Sequence, residues 1–136
     1  MRGLQQRRAY GRADIVGRYH ASVHYSLRPR IRIVGDDGTI VLGPGKADLL
    51  DAISRTGSIR AAAGELGMSY MRAWTLVRTM NAAFRAPLVE KERGGSAQGG
   101  AQLTAAGRNV LALYRKIEEK AAQSAEPMWK KMKELL

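Results

Sequence analysis

The chain has no cysteine. That excludes a disulfide framework and any thiolate-bound metal, and it is compatible with the reducing cytoplasm in which we expect the protein to work. There are only two histidines, His20 and His24. They lie four residues apart with no patterned carboxylate or thiol beside them, so no metal site and no cofactor are expected. No apolar run approaches the roughly 18 residues of a membrane span, and no signal-peptide core is visible near the start. No nucleophile–base pair and no carboxylate cluster can be picked out, so the chain does not read as an enzyme.

Acidic residues are the other scarcity: 12 Asp and Glu stand against 23 Lys and Arg, a net charge of +11. The excess is uneven. Residues 1–36 carry eight arginines against two aspartates, and residues 91–116 carry Lys91, Arg93, Arg108, Arg115 and Lys116 against Glu92. Residues 117–136 are balanced, four lysines against four glutamates. Such density favours a polyanion, most often nucleic acid. An anionic membrane surface competes with that reading, and a merely solvated basic surface is the bland alternative. With 136 residues, 45% of them hydrophobic, one domain with a core of its own is expected.

The most informative stretch runs from Thr56 to Phe84. It reads as two helices, about Ile59 to Leu66 and Ser69 to Ala83, joined by a tight turn. Gly67 can adopt the left-handed conformation that ends a helix. Ser69 can cap the next one by accepting a first-turn N–H. Ala63 is small enough for a close helix crossing. Ile59, Ala62, Leu66 and Met68 are core candidates. Ala73, Leu76, Val77, Met80 and Phe84 form one stripe at helical spacing. This is the pattern of a helix-turn-helix; an ordinary helical hairpin is the plainer alternative.

The flanks extend the pattern. Residues 30–42 alternate and turn at Asp37-Gly38, as a β-hairpin does. Gly43-Pro44-Gly45-Lys46 superficially suggests a phosphate loop, but Ile40 and Ala47 stand where that motif needs glycine and a hydroxyl. It is read instead as a strand-to-helix turn. The helix that follows, about Lys46 to Arg55, turns Ala47, Leu49, Leu50 and Ile53 inward. Gly57 ends it and Ser58 caps the next. After Phe84, Ala86-Pro87 breaks the helix. Leu88 to Arg93 and Ala101 to Leu103 form strands around a glycine-rich tip, a wing. Thr104 opens a long helix, about Ala105 to Ala125, with an apolar stripe of Leu103, Ala106, Val110, Leu113, Tyr114, Ile117 and Ala121. A short separate helix is expected after Pro127. The fold class is therefore mainly α with small β-hairpins: a winged helix-turn-helix with a long C-terminal helix. Residues 1–27 are expected to be a flexible basic arm, 28–126 the DNA-binding domain, and 127–136 a helical extension.

Several short runs together resemble the DNA-binding domain of the ModE family, the molybdate-responsive bacterial transcription regulators. They are Ser69-Tyr70 with Ala73-Trp74, the double-glycine wing, and Leu103-Thr104 with Gly107-Arg108. The resemblance covers about residues 28 to 122. LysR-type regulators have a related winged domain and are the near neighbour. The resemblance implies a homodimer on palindromic double-stranded DNA, acting on molybdenum-related genes. Full-length relatives carry molybdate-binding domains after the last helix. Leu136 leaves no room for one here, so this chain is expected not to bind molybdate directly, and its effector is unknown.

With Ala73 to Phe84 turned inward, about 100° per residue places Met71, Thr75 and Arg78 opposite the stripe and Arg72 beside them. These four are the expected base contacts, because the N-terminal part of a recognition helix enters the major groove. Arginine can donate two bonds to guanine, and Met71 or the Thr75 methyl can meet thymine methyls. Ser69 and Tyr70, at the helix start, are candidates for a phosphate; Ser69 can equally be only a cap and Tyr70 half-buried. Trp74 is read as packing. Arg60, Lys91, Arg93 and Arg108 are further phosphate candidates. The alternative function is a winged-helix protein-interaction module that binds nucleic acid without sequence preference.

Overall fold

The computed structural model describes residues 23–92 and 100–136. The basic arm, up to residue 22, and the wing tip, 93–99, lie outside the described residues. The described residues divide into two units, one of residues 29–121 and the other including residues 122–136. The first unit is the winged helix-turn-helix.

It opens with a small antiparallel hairpin of β1 (Ile33–Val34) and β2 (Ile40–Leu42), whose register shifts between Ile33 and Val34. The turn forms where the sequence places it. The Asp37 carboxylate accepts bonds from the Thr39 N–H and hydroxyl, at 2.9 and 2.8 Å, which holds its pKa below the usual value. The expected alternation does not produce a buried face, however. Ile33, Val34 and Ile40 are all exposed, and only Leu42 enters the core. Two short strands have too little sheet to bury a side.

Helix α1 (Pro44–Thr56) starts with Pro44 in its first turn, where the missing N–H costs nothing, and ends at left-handed Gly57. Ala47, Leu49, Leu50 and Ile53 are fully buried along it, as expected, together with Ala52. Helix α2 (Ile59–Glu65) is capped by the Ser58 hydroxyl, and α3 (Tyr70–Ala83) by the Ser69 hydroxyl. Between them Gly67 has φ 65°, a conformation that a side chain would strain. Ala62 and Ala63 of α2 and Ala73, Val77 and Met80 of α3 are buried, with Leu76 and Phe84 partly so. Leu66, expected in the core, is exposed instead. It occupies the C-cap of α2, where the chain is already turning away.

The wing strands β3 (Val89–Lys91) and β4 (Ala101–Leu103) pair antiparallel, with Val89 opposite Leu103. β4 is also tied to the turn after α1, because the Ala101 N–H donates to the Gly57 carbonyl at 2.9 Å. The last helix, α4, runs unbroken over Ala105–Lys133 with Pro127 inside it. This corrects the expected end near Ala125 and the separate short helix. Proline removes one N–H and crowds one carbonyl of the preceding turn, and here neighbouring helical residues carry the helix past that defect. The α4 stripe is also narrower than expected. Tyr114 is buried and its hydroxyl donates to the Ile31 carbonyl at 2.8 Å, whereas Leu113 and Ile117 are 53% and 45% exposed. Among the described residues no helix is long and apolar enough to cross a membrane.

Two contacts lock the wing to the helices. Asn81 on α3 accepts bonds from the Leu88 and Val89 N–H groups (2.8 and 3.1 Å) and donates to the Val89 carbonyl (3.0 Å). Gly107 of α4 lies so close to Leu88 that an added Cβ would overlap the Leu88 carbonyl oxygen. We predict that Gly107→Ala destabilises the domain by about 3 kcal/mol, at the top of the usual overpacking range, because backbone must move. Urea denaturation checks this, and a loss below about 1 kcal/mol would mean that α4 slides away freely. Asn81→Leu should cost about 2–4 kcal/mol by the same measurement, because it strands two N–H groups and a carbonyl in a partly buried place; an unaffected midpoint would show that water replaces the amide.

Candidate nucleic-acid interface

The first turn of α3 contains no acidic residue, and its free N–H groups form the positive end of the helix. The Ser69 side chain accepts one of these, from Arg72, at 3.1 Å. Ala73, Val77 and Met80 face the core, so the other side of the helix is open: Met71, Arg72, Thr75 and Arg78 are all exposed.

Tyr70, Trp74 and Arg78 stand at i, i+4 and i+8, which places them in one row along α3. The Arg78 guanidinium lies over the Trp74 ring, 4.9 Å from its centroid. The guanidinium of Arg60, from α2, lies over the Tyr70 ring at 4.6 Å. Asn81, one turn further on, holds β3 in place opposite this row. The space between helix and wing is a cleft of about 780 Å³, with Arg60, Tyr70, Trp74 and Arg78 on one wall and residues 89–92 on the other. Arg60, Arg78 and Lys91 supply positive charge there; Glu90 and Glu92 temper it. One Glu90 oxygen accepts a bond from the Gln102 amide at 3.3 Å.

The sequence candidates therefore divide. Arg60, Tyr70, Arg78 and Lys91 come together at the cleft. Met71, 65% exposed, lies with Arg72 and Thr75 on the outward face of α3 and does not line it. The Thr75 hydroxyl already donates to the Met71 carbonyl at 2.8 Å. The Ser69 hydroxyl is engaged as a cap, the plainer of its two readings. Arg108 is separate: it donates to the Leu103 carbonyl at 2.9 Å and borders a smaller cleft of about 310 Å³, with Ile53, Ser54 and Gly57. Arg93 lies outside the described residues.

Sequence reasoning missed three participants. Asn81 has no part in the sequence reading, although it fixes the wing. Trp74 is half-buried, in keeping with the packing expected of it, and its ring in addition carries Arg78, which the sequence does not signal. The Tyr70–Arg60 pairing joins two helices and has no local signal. The four-residue spacing of Tyr70, Trp74 and Arg78 was the available clue to the row. Among the described residues no three His, Cys, Asp or Glu side chains gather as a metal site would require.

Residues 46–108 match the family of bacterial regulatory helix-turn-helix proteins of the lysR family. The chain is 49% identical over 82 residues to the molybdenum-pterin-binding protein MopB of Rhodobacter capsulatus, covering 60% of this chain and 30% of that protein. It is 38% identical over 81 residues to the DNA-binding transcriptional dual regulator ModE of Escherichia coli K12, covering 57% of this chain and 31% of that protein. The match thus spans about a third of these relatives' length. Among solved structures, the DNA-binding domain of CbnR in complex with DNA is similar, with a TM-score of 0.52 and 25% identity, over 65% of this chain and 95% of that one. The ModE resemblance read from the sequence therefore holds over the winged-helix domain, on a helix-turn-helix of the lysR-family kind.

Proposed function

We propose that the chain is a sequence-specific DNA-binding transcription regulator of the ModE type that binds palindromic DNA as a homodimer. The observation that carries the reading is the outward face of α3: Met71, Arg72, Thr75 and Arg78 are exposed together on a helix without a single acidic residue, beside a cleft holding Arg60 and Lys91. Similarity to the DNA-binding regulator ModE of Escherichia coli, and to the CbnR domain in complex with DNA, supports it.

In this reading the exposed face of α3, from its N-terminal turn to Arg78, enters the major groove. Arg78 and Arg72 face base edges, where arginine can donate two bonds to guanine, and Met71 and Thr75 offer apolar contact to thymine methyls. Tyr70, with the N–H groups of the α3 start, meets a phosphate, and Ser69 orders that turn. Arg60, Lys91, Arg93 and Arg108 contact the backbone. Two copies are required because one helix-turn-helix reads only a half-site, and a two-fold pair sets half-sites one turn apart, roughly 34–36 Å. Leu113 and Ile117, apolar, exposed and four residues apart on α4, are suited to the dimer seam.

Binding to a selected duplex should weaken linearly in log–log salt plots, with a slope of about −0.9 per neutralised phosphate. Arg78→Ala should cost about 1–3 kcal/mol on the preferred sequence and relax preference at one base position. Lys91→Ala should weaken all sequences alike and lower the salt slope by about one. Fluorescence anisotropy over a salt series checks all three. Folded protein that binds no duplex at low salt would remove the whole reading.

The dimer is tested separately, by analytical ultracentrifugation. The intact chain should sediment as a dimer at micromolar concentration. Replacing Leu113 and Ile117 together by glutamate should shift it to monomer, because two like charges would face two more across the seam. A monomeric wild type rejects the dimer; a double variant that stays dimeric moves the seam elsewhere.

A further inference from the structure

We infer that Tyr70 and Trp74 are positioning residues: their rings hold the Arg60 and Arg78 guanidinium groups as two fixed planes beside the wing cleft, and the base discrimination exerted by Arg78 depends on Trp74. This rests on the DNA-binding reading above and concerns how the same face achieves specificity.

The argument begins with how an exposed arginine is held. A free arginine side chain samples many rotamers, and freezing it on binding is unfavourable. A partner that fixes it beforehand removes that cost. Carboxylates are the usual partners, but they engage the in-plane N–H donors. Those are the same donors that a guanine edge or a phosphate needs. An aromatic ring binds the flat face of the guanidinium instead and leaves the in-plane donors free.

Both patterns occur in this domain. Arg55 is bonded to Asp51 and Glu65, and Arg115 to Asp48 and Glu118, at 2.9–3.1 Å in their ion pairs. Their donors are committed to carboxylates. Arg60 and Arg78 lie over rings, at 4.6 and 4.9 Å. Glu90 and Glu92 line the same cleft, yet among the described residues no salt bridge joins either of them to Arg60 or Arg78.

The rings are themselves anchored. Trp74 is half-buried on α3 between the core residues Ala73 and Val77. Tyr70 occupies the first helical position after the Ser69 cap and receives Arg60 from the neighbouring helix. The Arg60–Tyr70 pair therefore joins the two helices of the helix-turn-helix at the start of α3, the end suited to a phosphate. The Arg78–Trp74 pair lies further along α3, among the residues that line the cleft.

The test is a double-mutant cycle on the ratio of affinities for the selected duplex and an unrelated one. Trp74→Leu should lower that ratio about fivefold, the effect of losing one cation–π contact, and Trp74→Phe should lower it less. In an Arg78→Ala background, Trp74→Leu should leave the ratio where Arg78→Ala put it. A packing role alone would instead lower affinity for both duplexes in either background, and such additivity would overturn the inference. Far-ultraviolet circular dichroism confirms that each variant is folded.

A readout without DNA separates this inference from the reading beneath it. In the free wild-type chain, the ¹H–¹⁵N signals of the Arg78 and Arg60 side-chain Nε–H groups should be displaced by the ring currents. The Arg78 signal should move to the unstructured arginine position in Trp74→Leu, and the Arg60 signal in Tyr70→Leu. Undisplaced signals in the wild type would overturn the inference even if the protein binds DNA well. Displaced signals in a protein that binds no duplex would show that the stacks exist and that the DNA reading is what failed, and with it the role assigned here.

Discussion

The Asn81 amide is the joint on which the arrangement depends. One side chain on the recognition helix satisfies two backbone donors and one acceptor of Leu88 and Val89. Leu88 in turn accepts the Thr104 N–H through its carbonyl at 2.9 Å, and the Thr104 hydroxyl donates to the Pro87 carbonyl at 2.6 Å. The same threonine hydroxyl accepts from the Gly107 N–H, which starts α4. A continuous set of hydrogen bonds thus runs from α3 through the root of the wing to the last helix. Such a network is stabilising only when every member is satisfied, and among the described residues no buried side-chain nitrogen or oxygen lacks a partner. Gly107 completes it by letting α4 approach the Leu88 backbone. The wing is consequently fixed relative to α3 by its root, and the width of the cleft follows from that.

Much of this fold could be read in the sequence because its punctuation is local. Ser58, Gly67 and Ser69 act within three or four residues of themselves, and each does what its residue type predicts. The α3 stripe and β4 were legible for the same reason: periodicity is carried by neighbours along the chain. The misses are non-local. Proline statistics stop a helix near Ala125, but Pro127 sits inside α4 because turns on both sides propagate helix more strongly than one proline interrupts it. Leu113 and Ile117 continue the apolar period of Tyr114, yet a domain this small has filled its core with Leu42, Leu49, Leu50, Ile53, Met80 and Leu88 before reaching them. Periodicity predicts which side of a helix is apolar; it does not say how wide a side the core can cover.

The candidate site was legible in its backbone and less so in its side chains. A helical wheel places Arg78 opposite the buried stripe, and there it is exposed. The wheel describes the direction of the Cα–Cβ bond, however, and a guanidinium reaches several bonds further. Arg78 folds toward Trp74 and so joins the cleft, while Met71, Arg72 and Thr75 remain on the open face. Arg108 shows the converse. It looks like a wing-side cation in the sequence, yet its guanidinium donates to the Leu103 carbonyl beside a different cleft. Neither outcome follows from charge or spacing, because each is decided by what lies within reach after folding.

Net charge is for that reason a coarse guide to function here, and the way each arginine is held is a finer one. Arg55 and Arg115 stitch helices through exposed carboxylate pairs, interactions typically worth about 0–1 kcal/mol each. The carboxylates also hold both guanidinium groups firmly protonated, raising their pKa values through hydrogen bonds. Their positive charge is locally cancelled and contributes little to the field that an approaching polyanion meets. Arg60 and Arg78 keep their full charge, because a ring face attracts a cation without neutralising it. The +11 of the whole chain thus overstates some arginines and understates what distinguishes others. Where an arginine is held over an aromatic ring beside a cleft, its charge is not cancelled and its donors are not committed to a carboxylate. That is the condition under which a surface can attract a polyanion and also discriminate among its sequences.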